Sequence, residues 1–360
     1  MEYWSCSLED MGLIHPKFWS DRRVFLTGHT GFKGSWLSLW LSSLGANVTG
    51  FSLKPPTHPN LFELANIEQS TNSILGDIRD LALLRDAINS AKPEIVIHMA
   101  AQPLVLTSYE DPLDTYQTNI MGTAYLLESL RNCPSIKAVL IITSDKCYEN
   151  REWLWGYREI DAMGGYDPYS SSKGCAELVT AAYRQSYFNP YKYADHGVAI
   201  ASARAGNIIG GGDWASNRLI PDAMRAFLAD ETLVVRNGDA IRPWQHILDP
   251  LHGYIVLSQK LLSNAGNEYS EAWNFGPKSE NEIRVSEIVK KLTKIWGRSA
   301  NWVDTNKNAK LHEANYLRLD CTKSVHKLDW QPKISITRGE FKLVACCGKW
   351  SDSKSRRQGL

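Results

Sequence analysis

Five residues, Arg23-Val24-Phe25-Leu26-Thr27, run without a break into Gly28-His29-Thr30-Gly31-Phe32-Lys33-Gly34, and a helical apolar periodicity follows from Ser35 to Leu44. Strand, glycine-rich turn and helix in that order is how a parallel α/β sheet holds a phosphate. The first glycine permits the tight turn, the second lets backbone approach a pyrophosphate, the third lets the helix lie close on the strand, and the helix start offers free N–H groups. Gly28, Thr30, Gly31, Phe32 and Gly34 are therefore candidate dinucleotide contacts.

The rest of the first half alternates strand and helix. Gly45–Ser52 reads as a second strand, with Ser52 and Lys54 where an NAD site usually carries an acid, which leaves NAD and NADP open at that position. The segment from Ile74 to Asp80 ends a third strand, placing Asp77 and Ile78 for an adenine and Asp80 as the N-cap of a helix to residue 91. Glu94–His98 is a fourth strand, and the small Ala100 and Ala101 after it allow a cofactor to pass over backbone; His98 reads as scaffold. Residues 112 to 131 form one long helix. Val139-Leu140-Ile141-Ile142 is a buried strand, and Gly197–Ala203 another. Strands separated by helices imply a Rossmann-type, doubly wound parallel sheet with right-handed crossovers.

Chemistry gathers where the buried strand stops. Thr143-Ser144-Asp145-Lys146 follow it directly, and after Asp167-Pro168 a helix opens with Tyr169 and Lys173 four residues apart, on one face. From Arg204 glycines, arginines and aromatics cluster, in Asn207, Gly210-Gly-Gly-Asp213-Trp214, Arg218 and Arg242-Pro-Trp244-Gln-His246, as in loops that close over an anionic ligand. The expected organisation is a cofactor domain over residues 1–203, with 243–270 returning to it, a mainly substrate-binding region over 204–340, and a basic, aperiodic tail over 341–360.

A formal charge of +1 gives no field for nucleic acid or a membrane surface, and no apolar run reaches the length of a membrane span. Seven cysteines, an odd number without metal-ligand spacing, argue against a disulfide framework and a metal centre, and the first twenty residues lack a signal peptide's pattern. A cytoplasmic protein with a small-molecule partner is the expectation.

Four features in order, the Gly28/Gly31/Gly34 loop, His98 to Gln102, Ser144, and Tyr169 with Lys173, resemble the extended short-chain dehydrogenase/reductase family over roughly residues 22 to 332. Asp145 beside Ser144 resembles its nucleotide-hexose 4,6-dehydratases, which carry Thr-Asp-Glu there; nucleotide-sugar epimerases generally lack the acid. Lys146 in place of the glutamate, with Gly210-Gly-Gly-Asp-Trp and Arg242-Pro-Trp-Gln-His, narrows the resemblance to the dehydratases that use CDP-glucose and lead to 3,6-dideoxyhexoses of bacterial surface polysaccharides. The resemblance implies bound NAD, Tyr169 as base at the sugar C4 hydroxyl with Lys173 lowering its pKa, Ser144 on the same oxygen, Asp145 as acid at C6, and Lys146 either as C5 base or as a cation beside the enolate. It also implies Asn207, Arg242 and Gln102 as substrate contacts. Tyr148 and Trp153-Leu-Trp155 are expected to shield the site from water. Apolar residues on more than one face of the 112–131 and 168–186 helices imply a homodimer or homotetramer. A redox-neutral epimerase and a catalytically silent NAD-binding sensor are the competing readings.

Overall fold

The β-branched and apolar runs become the strands of one sheet, the central ones buried on both faces. In the computed structural model, which describes residues 13–278, 282–297, 300–305 and 316–334, these are β1 (Arg23–Thr27), β2 (Asn47–Ser52), β3 (Asn72–Leu75), β4 (Ile95–His98), β5 (Ala138–Ile142) and β6 (Ala199–Arg204). Every residue of β4, β5 and β6 is buried, as central strands of a parallel sheet covered on both sides require. With the strand Ala272–Asn274 they form one seven-stranded sheet, in the order Ala272–Asn274, β6, β5, β4, β1, β2, β3. All six pairings are parallel. The chain winds outward from β1 to β3, then returns to β4 on the other side of β1. The crevice between the carboxyl ends of β1 and β4 is thus the topological switch point, where ligands sit in such sheets.

One apolar layer joins the helix Phe32–Ser43 and the helix Leu248–Leu261 to one face of the sheet, through Leu37, Leu41, Leu251, Tyr254 and Ile255. The other face is covered by Leu84, Ile88, Leu126, Leu127 and Leu130. The chain therefore leaves the sheet after β6 and comes back through Leu248–Leu261, with the return reaching Asn274 as a seventh strand. In between, short pairs of strands (Ile208–Ile209 with Gln245–His246, Ile241–Pro243 with Glu282–Arg284, Thr232–Val235 with Asn301–Asp304) and the helices Leu219–Leu228 and Val285–Trp296 enclose a separate apolar cluster around Phe227, Trp244 and Leu292.

One element departs from expectation. The helix read over 112–131 is Pro112–Tyr116, a π-turn over Gln117–Met121, and Gly122–Leu130. The π-turn carries the buried Asn119, whose Nδ2 donates to Gln102 O (3.0 Å) and Ser172 Oγ (2.8 Å) and whose Oδ1 accepts from Gln102 N (2.8 Å). A tertiary bridge between two active-site segments is gained by locally widening the helix. The basic tail expected over 341–360 lies outside the described residues.

The glycine loop has little slack. Gly28 sits at φ +77, and a β-carbon there would lie 2.8 Å from Ala100 N; one on Gly34 would collide with the Gly28 carbonyl. Gly34→Ala is expected to cost about 1–3 kcal/mol through that collision. Thermal denaturation checks this, and an unchanged melting temperature would mean that the loop yields.

Candidate active site

At the end of β5 the chain turns sharply. The Ser144 hydroxyl accepts from Lys146 N (3.3 Å), capping the turn Asp145–Cys147, and donates to Asp145 Oδ1 (2.9 Å). Facing it is the helix Pro168–Ser186, started by Pro168 and capped by Asp167, whose Oδ1 accepts from Ser170 N (2.9 Å). Tyr169 N donates to Ser108 Oγ (3.0 Å), so the first turn is held from outside as well. Tyr169 and Lys173 are both buried on this face.

A third carboxylate, one turn beyond Lys173, fixes the turn from behind. Glu177 accepts from Thr143 Oγ1 (2.5 Å), Ser202 Oγ (2.7 Å) and Arg204 Nη2 (2.8 Å), with both charged groups buried. Arg204 also donates to Tyr148 OH (2.7 Å), which donates to Asn274 Oδ1 (2.8 Å). Arg204→Met, which leaves the Glu177 charge without its partner, is expected to cost about 3–5 kcal/mol; a chemical-denaturation midpoint equal to that of the unaltered protein would contradict this.

Electrostatics follow burial. The Tyr169 phenol is pushed up to about 12 by burial, with a hydrogen bond to Ser144 acting the other way. Lys173 is pulled down to about 8 by burial, against the attraction of Glu177. Burial raises Asp145, opposed by Lys146, Ser144 and Arg242, and Asp145 Oδ2 is buried with no hydrogen-bond partner among the described residues. Lys33, in the glycine loop, is lowered to about 7 by burial and by Lys173 and Arg218.

A cavity of about 840 Å³ opens here, lined by Ser144, Asp145, Lys146 and Tyr169 together with Asn207, Arg218 and Arg242, with Leu106, Tyr109, Ile220, Val234 and Trp244 as apolar walls. The residues around the β1 loop fit a dinucleotide. The helix Phe32–Ser43 begins at Gly31 with no side-chain cap, so its first N–H groups face outward for an anion. Thr30 Oγ1 ties the loop to the end of β2 through Ser52 Oγ (2.8 Å) and Leu53 O (2.8 Å), and Ala100 N is held by Thr27 Oγ1 (3.1 Å). Ala101 follows it at the same strand end. Asp77 is paired with Arg79 (2.6 Å), and the Ile78 side chain is packed in the core against Gly122. His98 is buried between Thr27 (2.7 Å) and Thr123 (3.1 Å) and held neutral, with its pKa lowered to about 3 by burial, in keeping with a scaffold role.

Gln102 and the expected aromatic shield stand outside the lining of the cavity. The Gln102 Nε2 donates to Leu104 O (3.0 Å) and Thr115 Oγ1 (2.9 Å), and its Oε1 accepts from Leu104 N (2.6 Å), so the amide shapes its own turn. Tyr148 is buried behind the site, stacked on Tyr157, while Leu154 and Trp155 point into solvent away from the cavity. Lys33 and the Glu177–Arg204 pair were not singled out by sequence, whereas Arg218 was, among the arginines of the ligand-closing loops; the lysine's place just before the third glycine of the loop was the available signal for the first.

Among the described residues no group of three or more His, Cys, Asp or Glu could hold a metal ion, and no helix is long and apolar enough to cross a membrane. A Rossmann-type sheet with serine, tyrosine and lysine converging beside its glycine loop defines an enzyme of the short-chain dehydrogenase/reductase type. The chain belongs to the family described as GDP-mannose 4,6 dehydratase, which matches residues 25–340. It is similar to the CDP-glucose 4,6-dehydratase of Salmonella typhimurium, 54% identical over 338 residues that cover 94% of each chain. Among solved structures it resembles a UDP-glucose 4-epimerase from Brucella ovis in complex with NAD (25% identity, TM-score 0.73, covering 87% of this chain and 94% of that one). It also shares its fold with DesIV, a dTDP-glucose 4,6-dehydratase from Streptomyces venezuelae with NAD and TYD bound (24% identity, TM-score 0.75, covering 89% and 95%).

Proposed function

We propose that the protein is a lyase that converts CDP-glucose to CDP-4-keto-6-deoxyglucose and water, using NAD that is restored within each turnover. The observation that carries this reading is Asp145: a buried carboxyl with a raised pKa and an unpaired oxygen, set next to Ser144 in the cavity that Tyr169 also lines. An epimerase needs no such acid. The 54% identity to the Salmonella enzyme over nearly the whole chain supports the choice of nucleotide.

NAD, when bound, supplies a hydride acceptor and a positive charge; Gly28, Thr30, Gly31, Phe32, Gly34, Asp77, Ile78, Ala100 and Ala101 are the residues we assign to hold it. Tyr169 removes the proton of the C4 hydroxyl. With burial the largest influence the phenol stands at about 12, too high for a base at neutral pH, so further positive charge close by is required, and we assign that to the Lys173 ammonium one turn along. Ser144 stabilises the developing alkoxide. Once C4 is a ketone the C5 proton is acidic; Lys146, entering the step as the neutral amine, receives it and becomes the ammonium, and Asp145 gives its proton to the C6 hydroxyl, which leaves as water. Asn207 and the Arg242 guanidinium, which line the same cavity, are assigned to the diphosphate.

Two groups must keep their protons. Lys173 loses its charge as pH rises through about 8, so kcat is expected to fall on the alkaline side above about pH 8; Asp145, whose acid form is favoured by burial, gives up its proton in the same direction of pH. A pH–rate profile that stays flat to pH 10 would contradict the assignments.

We further propose a homodimer or homotetramer built on the helices Pro112–Leu130 and Pro168–Ser186, where Leu113, Met121 and Leu178 are exposed. Sedimentation at micromolar concentration showing only monomer would remove this idea. The free thiols Cys133, Cys147, Cys175 and Cys321 suit the cytoplasmic setting we assign, and the product suits a pathway to deoxysugars of surface polysaccharides.

A further inference from the structure

We propose that Gly206 is a positioning residue for the elimination step: the space left by its missing side chain is where the Asp145 carboxyl sits, and a β-carbon there turns the acid away. The inference rests on the dehydratase reading and assigns one half-reaction to one backbone position.

The three heavy atoms nearest to a β-carbon on Gly206 are Oδ2, Cγ and Oδ1 of Asp145, all well inside van der Waals contact. Side chain and carboxyl cannot share that volume, so one of them has to move. The backbone at 206 is held on both flanks. Gln245 Nε2 donates to Gly206 O (2.9 Å) and to Phe275 O (3.1 Å), and Gln245 N donates to Asn207 O (3.1 Å) where the chain turns at φ +43. Two residues earlier, Arg204 is locked by its buried pair with Glu177 (2.8 Å). The Asp145 carboxyl, in contrast, is held only from its own turn, by Ser144 Oγ donating to Oδ1 (2.9 Å) and by the backbone of Lys146, and its Oδ2 has no partner among the described residues. The carboxyl is therefore what yields.

Its displacement leaves the other chemistry standing. Ser144 is placed by the end of β5, and Tyr169 and Lys173 by the helix Pro168–Ser186, none of them by the turn at 205–207. In the elimination the C5–H and C6–O bonds break, a C5=C6 double bond forms, and the hydroxyl departs as water with the proton from Asp145. Without a correctly placed acid, oxidation at C4 proceeds and water loss does not. Gly206 thereby couples the two halves of the reaction, although it touches no reacting atom.

The test uses the full-length enzyme with NAD and CDP-glucose and four forms: unaltered, Gly206→Ala, Asp145→Ala and the double variant. Reduced nicotinamide absorbance, release of 4-keto-6-deoxy product and melting temperature are recorded for each. Gly206→Ala is expected to lower product release by about 10²-fold or more while reduced nicotinamide accumulates, a split that a merely structural defect does not give. It is also expected to lower the melting temperature in the presence of Asp145 and to leave it unchanged in the Asp145→Ala background, since the collision partner is gone. Full turnover by Gly206→Ala, or an equal loss of melting temperature in both backgrounds, overturns the proposal. If the unaltered enzyme releases no dehydrated product, the dehydratase reading fails instead, and the melting cycle still decides whether the 145–206 contact is what constrains position 206.

Discussion

Tyr169→Phe is expected to lower kcat by about 10²–10⁴-fold while leaving the fold and cofactor binding intact. The ring is buried on the first turn of its helix and is held there by backbone, through Ser108 Oγ, so phenylalanine keeps the packing and the cap. Only the hydroxyl is lost, and with it the group that takes the C4 proton. Ser144 cannot replace it, because a serine hydroxyl already donating to Asp145 Oδ1 lacks both the basicity and the spare proton-accepting geometry. Steady-state assay of product together with NAD titration measures both halves of the expectation. Near-normal turnover by Tyr169→Phe would remove the phenol from the mechanism altogether.

Asp145→Asn separates oxidation from dehydration. The amide keeps the size of the side chain and an oxygen for the Ser144 hydroxyl but cannot donate a proton and leave as its anion, so release of dehydrated product is expected to fall by about 10²–10⁴-fold while C4 oxidation continues. Stability is expected to move the other way. The folded-state pKa of Asp145 is raised above its unfolded value, chiefly by burial. The folded protein therefore binds that proton more tightly, and the stability linked to it is complete below the unfolded pKa and is lost as pH rises through the folded one. Asparagine carries no such loss, so relative to the unaltered protein the variant gains melting temperature as pH rises. A variant that is less stable at pH 8 than at pH 4, relative to the unaltered protein, would mean that the carboxylate is better accommodated than its burial implies. The opposed changes in activity and stability are the signature of a group kept in a costly environment for its chemistry.

The sheet was largely legible because its central strands are apolar runs buried on both faces, and β1, β4, β5 and β6 fall where Val24, Ile95, Val139 and Ile200 mark them. The three-residue strand Ala272–Asn274 was not, since a segment so short gains its strand geometry only by pairing with β6. The π-turn at Gln117–Met121 was hidden for a related reason: apolar periodicity runs through it, and what widens the helix is Asn119 reaching Gln102 and Ser172. In the site, Ser144, Asp145, Tyr169 and Lys173 stood out by type; the first three line one cavity, and Lys173 is buried one turn beyond Tyr169 on the same helix. For Gln102 sequence could not separate two uses, since an amide after a strand end forms turns as readily as it contacts ligands; here its Nε2 bonds Leu104 and Thr115. Gly206 was invisible as a functional position, for its role depends on a carboxyl contributed by a different strand.

The central claim is that this cavity removes water from a CDP-linked hexose, and one experiment addresses it directly. The purified protein with NAD is given CDP-glucose, dTDP-glucose, GDP-mannose and UDP-glucose separately in deuterated water, and product mass and deuterium position are followed. Loss of one water from CDP-glucose alone, with deuterium entering at C5 and no net accumulation of NADH, is the predicted result. A product of unchanged composition, epimeric at C4, would contradict the account and place the protein among the epimerases despite Asp145.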